Sequence, residues 1–278
     1  NGKNRCEIFD SVNYMEYIKK LGIQDELRRC ISEGFEGFEL YFQPIYNPQN
    51  DKLSGAEALI RWNCSKYGFM EPDKFIPLLE ESALIIPLGR WIIDTAAKAC
   101  NRWITNIPDF VMHINLSFVQ IVKSNIIKDV LERIGRYSAA NNHYVFEITE
   151  TIEMDRIPAV ERVFKEFIKN DFRLAIDDFG TGYSNYGYMR DKIFDIVKVD
   201  RSFITDIDKQ RNNYLMVSFI IKMAHEMGLH VCIEGVETKE ELACVRELGA
   251  DYIQGYYYGK PVCVADFEEQ HLKKLILG

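Results

Sequence analysis

The stretch "VMHINLSFVQIVKSNIIKDVLERIGRYSAANNHYVFEITE", residues 111–150, decides the fold. Its two ends, "VMHINLS" (111–117) and "YVFEITE" (144–150), are short β-branched and aromatic runs of strand length. Between them "FVQIVKSNIIKDVLERIGRY" (118–137) repeats apolar residues at i, i+3 and i+4, the period of an amphipathic helix. A strand, a helix and a second strand joined this way form a parallel crossover unit.

The same unit recurs outward in both directions. Strands are expected at 38–47, 53–62, 172–180, 195–203, 230–237 and 251–259, eight in all with the two above. Helical patterns fill 75–105, 157–170, 213–228 and 238–249. Repeated alternation on this scale predicts an α/β fold, a (β/α)8 TIM-type barrel. The first two strands are joined only by "PQNDK" (48–52), too short for a helical crossover, so the first strand should run antiparallel to the second. Residues 1–34 contain no strand of barrel type, and "YMEYIKKLGIQDELRRCIS" (14–32) reads as a charged linker helix or helix pair. The expected division is therefore a tail and linker over 1–34 and a barrel over 35–278.

Bulk properties restrict the partners. The chain has 278 residues, 47% of them hydrophobic, and can bury a large core without staples. Its formal net charge of −8 argues against a long nucleic acid as partner. Seven cysteines, an odd number with no CxxC pair, argue for a reducing cytosol and against a disulfide framework or zinc site. The five histidines show no HExxH spacing and read as satisfied core or surface residues. There is no run of 18 apolar residues and no signal peptide. The expectation is a cytoplasmic domain, cut from a longer protein that could itself be membrane-anchored.

In such barrels function sits at the C-terminal ends of the strands. Read in order, those ends carry Gln43, then Glu57 and Arg61, Asn115, Glu147, the pair Asp177 and Asp178, Lys198, Glu234, and Gln254. Singly, each has an ordinary reading: an edge-strand charge, a cap, a buried lysine paired with a neighbour. Together they place a polar group on every strand at one rim, and burying that many charges without partners would cost several kcal/mol each, by rough estimate. Glu57, Glu147, Asp177, Asp178 and the Asn115 amide form an all-oxygen donor set, suited to Mg²⁺ or Mn²⁺ rather than Zn²⁺. Adjacent aspartates suit a pair of ions, the usual device for cleaving phosphate esters.

"EALIRW" (57–62) now gives the pattern a family. With "QPI" (43–45), "FIPLLEES" (75–82), "NLS" (115–117), "EITE" (147–150), "DDFGTGYS" (177–184), "KVDRSF" (198–203), "EGVE" (234–237) and "QGYYYGKP" (254–261), the chain resembles the EAL-domain cyclic di-GMP phosphodiesterases over about residues 35–270. The resemblance implies hydrolysis of cyclic di-GMP to linear pGpG with two Mg²⁺ or Mn²⁺ ions, and inhibition by Ca²⁺. It implies Glu57, Asn115, Glu147 and Asp177 as ligands of one ion, and Asp177 and Asp178 as ligands of the other. Glu57, Lys198 and Glu234 become the catalytic set, Lys198 positioning the attacking water and Glu234 acting as general base. Gln43, Leu59, Arg61 and Gln254 fall on the substrate side, and Glu150 becomes the anchor of the loop after the fifth strand. A homodimer is implied as well. "GKNRCEIFD" (2–10) resembles the end of a GGDEF-like domain, which would make this the EAL part of a tandem protein. The rival reading is a catalytically weak or inactive EAL domain serving as a cyclic di-GMP receptor or dimerisation module. "NCS" (63–65), Ala83, Asn185 and "DKIFDIV" (191–197) depart from the family pattern, and none of them is a chemical position.

Overall fold

In the computed structural model, residues 11–150, 158–181 and 193–273 are described. Residues 2–10, expected to be the end of a GGDEF-like domain, Asn185 and most of the glycine-rich loop lie outside them. Eight strands close a ring: β1 (Phe38–Asn47), β2 (Lys52–Cys64), β4 (Val111–Asn115), β5 (Tyr144–Thr149), β6 (Arg173–Phe179), β7 (Ile196–Val199), β8 (His230–Glu234) and β9 (Tyr252–Gln254). Neighbours from β2 round to β9 are parallel. β1 closes the ring antiparallel to both β2 and β9, pairing Gln43 with Glu57 and Ile45 with Gln254. This is the expected barrel with its reversed first strand.

Two short strands were not anticipated. β3 (Gly68–Met70) folds back on the end of β2, and β10 (Val262–Cys263) pairs with β1. Three strands stop three or more residues short of their expected ends. β7 ends at Val199 because the Asp200 side chain accepts from the Ser202 amide and starts a 3₁₀ turn over Arg201–Phe203. β8 ends at Glu234, before Gly235, whose φ of 74° is open only to glycine at low cost. β9 stops at Gln254, where Gly255 lies so close to Val236 that a Cβ would meet its backbone oxygen at 2.1 Å.

Helices α2 (Pro72–Glu81), α3 (Ile85–Trp103), α4 (Phe118–Lys123), α5 (Ile126–Ile134), α6 (Pro158–Lys169), α7 (Arg211–Glu226), α8 (Lys239–Leu248) and α9 (Val264–Phe267) are described around the ring. The 118–137 pattern is two helices rather than one. Ser124 Oγ donates back to the Gln120 carbonyl, and the Asn125 side chain caps a fresh start by accepting from the Lys128 amide. The segment 14–32 is one helix, α1 (Ser11–Ser32). Its Ile23, Leu27 and Cys30 are buried in the same hydrophobic cluster as the barrel's outer layer.

Side-chain parity organises the molecule. Ala56, Ala58 and Ile60 on β2, Met112 and Ile114 on β4, and Phe146 and Ile148 on β5 pack outward, with the helices, in the main core. The alternate positions form a small separate cluster of Ile45, Val145, Ala175, Ile196 and Cys232, with Val111 and Tyr252 against it. That plug fills the ring toward the N-terminal ends of the parallel strands. Toward the C-terminal end the same parity delivers the polar rim: two residues on from Val145, Ala175, Ile196, Cys232 and Tyr252, four on from Val111, and two back from Ile45 on the reversed strand.

Candidate active site

Glu57, Asn115, Glu147, Asp177, Lys198, Glu234 and Gln254 meet inside the ring at its C-terminal end. Lys198 is the hub. It is fully buried, and its Nζ lies 2.7 Å from Glu147 Oε2, 2.7 Å from Glu234 Oε1, 3.3 Å from Glu57 Oε2 and 3.3 Å from Asp177 Oδ1. Amides order the remaining oxygens. Asn115 Nδ2 donates to Glu57 Oε1 at 2.5 Å, and Gln254 Nε2 donates to Glu57 Oε2 at 2.6 Å and to Gln43 Oε1 at 3.0 Å. Gln43 in turn donates to the Gly259 carbonyl.

Consecutive strand residues face opposite ways, so Asp177 and Asp178 could not both enter a regular ring. The backbone resolves this in two steps. The β6–β7 pairing slips between Ile176 and Phe179, and Asp178 takes a left-handed φ of 54°, a region aspartate tolerates better than most residues. Both carboxylates then converge with Glu234, their ligand atoms within 4.8 Å of one another.

The loop that follows is tied to the preceding strand. The Gly180 amide donates to Glu150 Oε2 at 2.7 Å, and the Glu150 amide donates to the Asp177 carbonyl. Gly180 has φ 98°, and a Cβ there would come within 2.7 Å of the Phe203 ring. Thr181 Oγ1 turns to the Asp178 carbonyl, and Ser184 lies outside the described residues.

Electrostatics at the rim follow from burial and crowding. Burial would raise the Glu57 carboxyl, but Lys198 and the Gln254 and Asn115 amides carry it below the usual carboxylate range. Burial prevails at the others. It pushes Asp178 up to about 6, with Asp177 adding repulsion, and Glu234 up to about 8 despite Lys198. Glu147 and Asp177 are raised too, again chiefly by burial. Burial also works against the Lys198 charge, yet Asp177, Glu147, Glu234 and Glu57 together hold the ammonium firmly protonated. One ammonium cannot neutralise five carboxylates. The excess charge, the all-oxygen donors and the convergence of Asp177, Asp178 and Glu234 fit a divalent cation. That trio brings in Glu234, which the family resemblance casts as a general base rather than a ligand.

A cavity of about 530 Å³ opens beside the cluster, lined by Glu57, Leu59, Arg61, Asn115, Ser117 and Glu147. Its floor is held by Ser117, which caps α4 in a reciprocal box with Gln120 and donates to Glu80 Oε1. Arg61 is half-buried, its Nη1 on the Ile60 carbonyl and its guanidinium 5.5 Å from the Tyr41 ring centroid. A residue that sequence reading passed over is also here. His113 is buried, and its Nδ1 lies 2.7 Å from Glu147 Oε1. The signal existed: in "VMHIN" position 113 shares the inward parity of Asn115.

A closed α/β barrel whose rim gathers carboxylates and amides around one buried lysine offers an oxygen-rich site able to coordinate a divalent cation. The EAL domain description matches residues 24–261, and the chain belongs to the EAL domain family. It is 33% identical over 250 residues to Signaling protein YkoW of Bacillus subtilis, covering 90% of this chain and 31% of that protein. It is 30% identical over 269 residues to Cyclic di-GMP phosphodiesterase NbdA of Pseudomonas aeruginosa, covering 96% and 34%. Among solved structures it is similar to EAL Enzyme Bd1971 in its cAMP- and cyclic-di-GMP-bound form. The TM-score is 0.85 at 31% identity, over 91% of this chain and 69% of that one. The chain spans about a third of the length of these two curated relatives. Among the described residues no helix is long and apolar enough to cross a membrane.

Proposed function

We propose that this barrel hydrolyses one phosphodiester of cyclic di-GMP to give linear pGpG. The convergence of Glu57, Asn115, Glu147, Asp177, Asp178 and Glu234 on one rim beside a nucleotide-sized cavity carries the reading. Glu57, Asn115, Glu147, Asp177 and Asp178 would hold two Mg²⁺ or Mn²⁺ ions. Bound there, the ions supply a water of lowered pKa and neutralise charge on the phosphoryl oxygens. Lys198 holds the carboxylates in register and offers its ammonium to the incoming water. Burial raises the Glu234 carboxyl and Lys198 opposes the rise; bound cations would oppose it further and leave the carboxylate to accept a proton from that water. Gln43 and Gln254 fix Glu57, Leu59 forms an apolar wall, and Arg61 faces the cavity as a contact for phosphate. Glu150 anchors the loop that leaves Asp178.

The test is a product assay on this chain: linear pGpG formed with Mg²⁺ or Mn²⁺ and not with Ca²⁺. Tight cyclic di-GMP binding without product under any of these ions would overturn hydrolysis in favour of the receptor reading. Arg61→Ala should weaken cyclic di-GMP binding by roughly 10- to 100-fold while leaving Mn²⁺ binding within about twofold, since a charge-assisted hydrogen bond contributes about 1.5–3 kcal/mol. Unchanged nucleotide affinity in calorimetry would leave Arg61 as a partner of Tyr41 and Ile60 only.

A homodimer belongs to the same reading. On α7, Leu215, Met216 and Phe219 are about half exposed among the described residues, a contiguous apolar patch on one helix. Sedimentation of Phe219→Glu against the unaltered chain tests it, with loss of dimer expected. The attached GGDEF-like domain rests on the sequence of residues 2–10 alone.

A further inference from the structure

We propose that His113 is a positioning residue for the rim: it holds Glu147 Oε1 from below so that the carboxylate presents its other oxygen to Lys198 and to a bound divalent cation. The inference rests on the metal-dependent reading above and adds to it a residue outside the donor set.

The geometry begins with parity. His113 follows Val111 and precedes Asn115 on the inward face of β4, one layer beneath the rim, and pairs in register with Val145 on β5 and Glu57 on β2. Glu147 is the inward residue above Val145. Its Oε1 meets His113 Nδ1 at 2.7 Å, and its Oε2 meets Lys198 Nζ at 2.7 Å. With both oxygens engaged, the carboxylate plane is fixed. A carboxylate held only through Oε2 would be free to rotate about its terminal torsion, which is broad. Outer partners that orient a ligand in this way typically change metal affinity or activity by 10–100-fold when removed.

The imidazole is suited to donate. A neutral imidazole carries one N–H, and Nδ1 stands at hydrogen-bonding distance, 2.7 Å, from Glu147 Oε1. Placed on Nδ1, that hydrogen is donated to Glu147.

The ring also borders a second cavity. About 610 Å³ of space at the N-terminal end of the barrel is lined by His113 together with Gly55, Asp109, Arg173 and Tyr252. Deleting the imidazole would join its volume to this space, so a small heteroaromatic base in solution could reach the vacated position from the end opposite the substrate cavity. That gives the proposal a second readout beside the comparison of side chains with and without an N–H.

The experiment compares the unaltered chain with His113→Ala, His113→Phe and His113→Gln, by Mn²⁺ titration calorimetry and by steady-state hydrolysis. His113→Ala and His113→Phe should bind Mn²⁺ 10- to 100-fold more weakly and lose kcat by a similar factor, with KM for cyclic di-GMP within about threefold. His113→Gln, which keeps an N–H donor, should recover most of the affinity. Free imidazole should raise Mn²⁺ affinity in His113→Ala and leave His113→Phe, whose ring fills the site, unchanged. If His113→Ala fails to fold, His113→Phe and His113→Gln carry the comparison. Equal Mn²⁺ affinity in the Phe and unaltered proteins, or in the Phe and Gln proteins, overturns the positioning role. An unaltered chain that binds Mn²⁺ but releases no pGpG overturns the phosphodiesterase reading while the calorimetric comparison stands.

Discussion

Asp178→Asn should fold normally, become slightly more stable in the absence of metal, and lose hydrolysis by roughly 10²- to 10³-fold, the scale of losing one preorganised charge at a reacting centre. Each part of this expectation has its own cause. Asparagine shares aspartate's tolerance of the left-handed φ that residue 178 adopts, so the backbone is not disturbed. The charge it removes is one that Asp177 repels and burial disfavours. The sign of the stability effect follows from linkage. The folded carboxyl sits near 6, above its unfolded value of about 3.9, so the folded state binds the extra proton between those limits. Its destabilising effect is absent below the unfolded pKa, grows as pH rises, and is complete above about 6. The metal-free variant should therefore melt a few degrees higher than the unaltered chain at pH 8 and at the same temperature at pH 3.5. The same titration makes divalent-cation affinity of the unaltered chain fall as pH drops through 6, since ligand and proton compete for one oxygen. Near-normal turnover by Asp178→Asn at saturating Mg²⁺ would remove Asp178 from the site.

How much of this was legible in the sequence depended on the kind of interaction. The ring was legible because its signal is periodic: β-branched runs separated by helical patterns, and a five-residue link that permits only a reversed strand. The rim was legible for a related reason. Glu57, Asn115, Glu147, Lys198, Glu234 and Gln254 interrupt apolar runs, and strand parity sends interruptions of that kind to a single place. Two other features were not legible. The break at Asn125 depends on a side-chain cap competing with helix continuation, which periodicity cannot see. β3 is too short for any pattern. The pair Asp177 and Asp178 was read as one donor set, but the way neighbours of opposite parity converge was not, and the slipped register and the left-handed residue supply it. His113 lies between these cases. Its parity was visible, but a histidine inside an apolar run is more often a satisfied core residue, and only its 2.7 Å contact with Glu147 separates the two readings.

Lys198→Met should produce the largest stability change in the protein. Methionine matches the length of the stem but removes the one cation that four carboxylates share. Breaking a buried ion pair from one side costs about 3–5 kcal/mol, because the charges left behind are neither hydrated nor paired. The loss should depend on pH in a defined direction. With the ammonium gone, Glu57, Glu147, Asp177 and Glu234 can relieve the burial only by taking up protons, so their folded pKa values rise further above the unfolded ones. A raised carboxyl pKa means that the folded state binds more protons, so stability falls as pH increases. The deficit of Lys198→Met should be greatest near pH 8 and shrink toward pH 5. A divalent cation that binds only the folded site should return part of it by mass action, about 2.7 kcal/mol at a free concentration 100 times Kd. Urea unfolding at pH 5 and pH 8, with and without Mn²⁺, measures all three effects. A variant as stable as the unaltered chain at pH 8 without metal would mean that the carboxylates are solvated well enough to need no counter-charge. In that case the crowding that makes this rim a cation site would have no energetic basis. If the deficit appears and Mn²⁺ reduces it, lysine and metal are interchangeable as neutralising charge, and the same repulsion that weakens the empty barrel draws the ions into it.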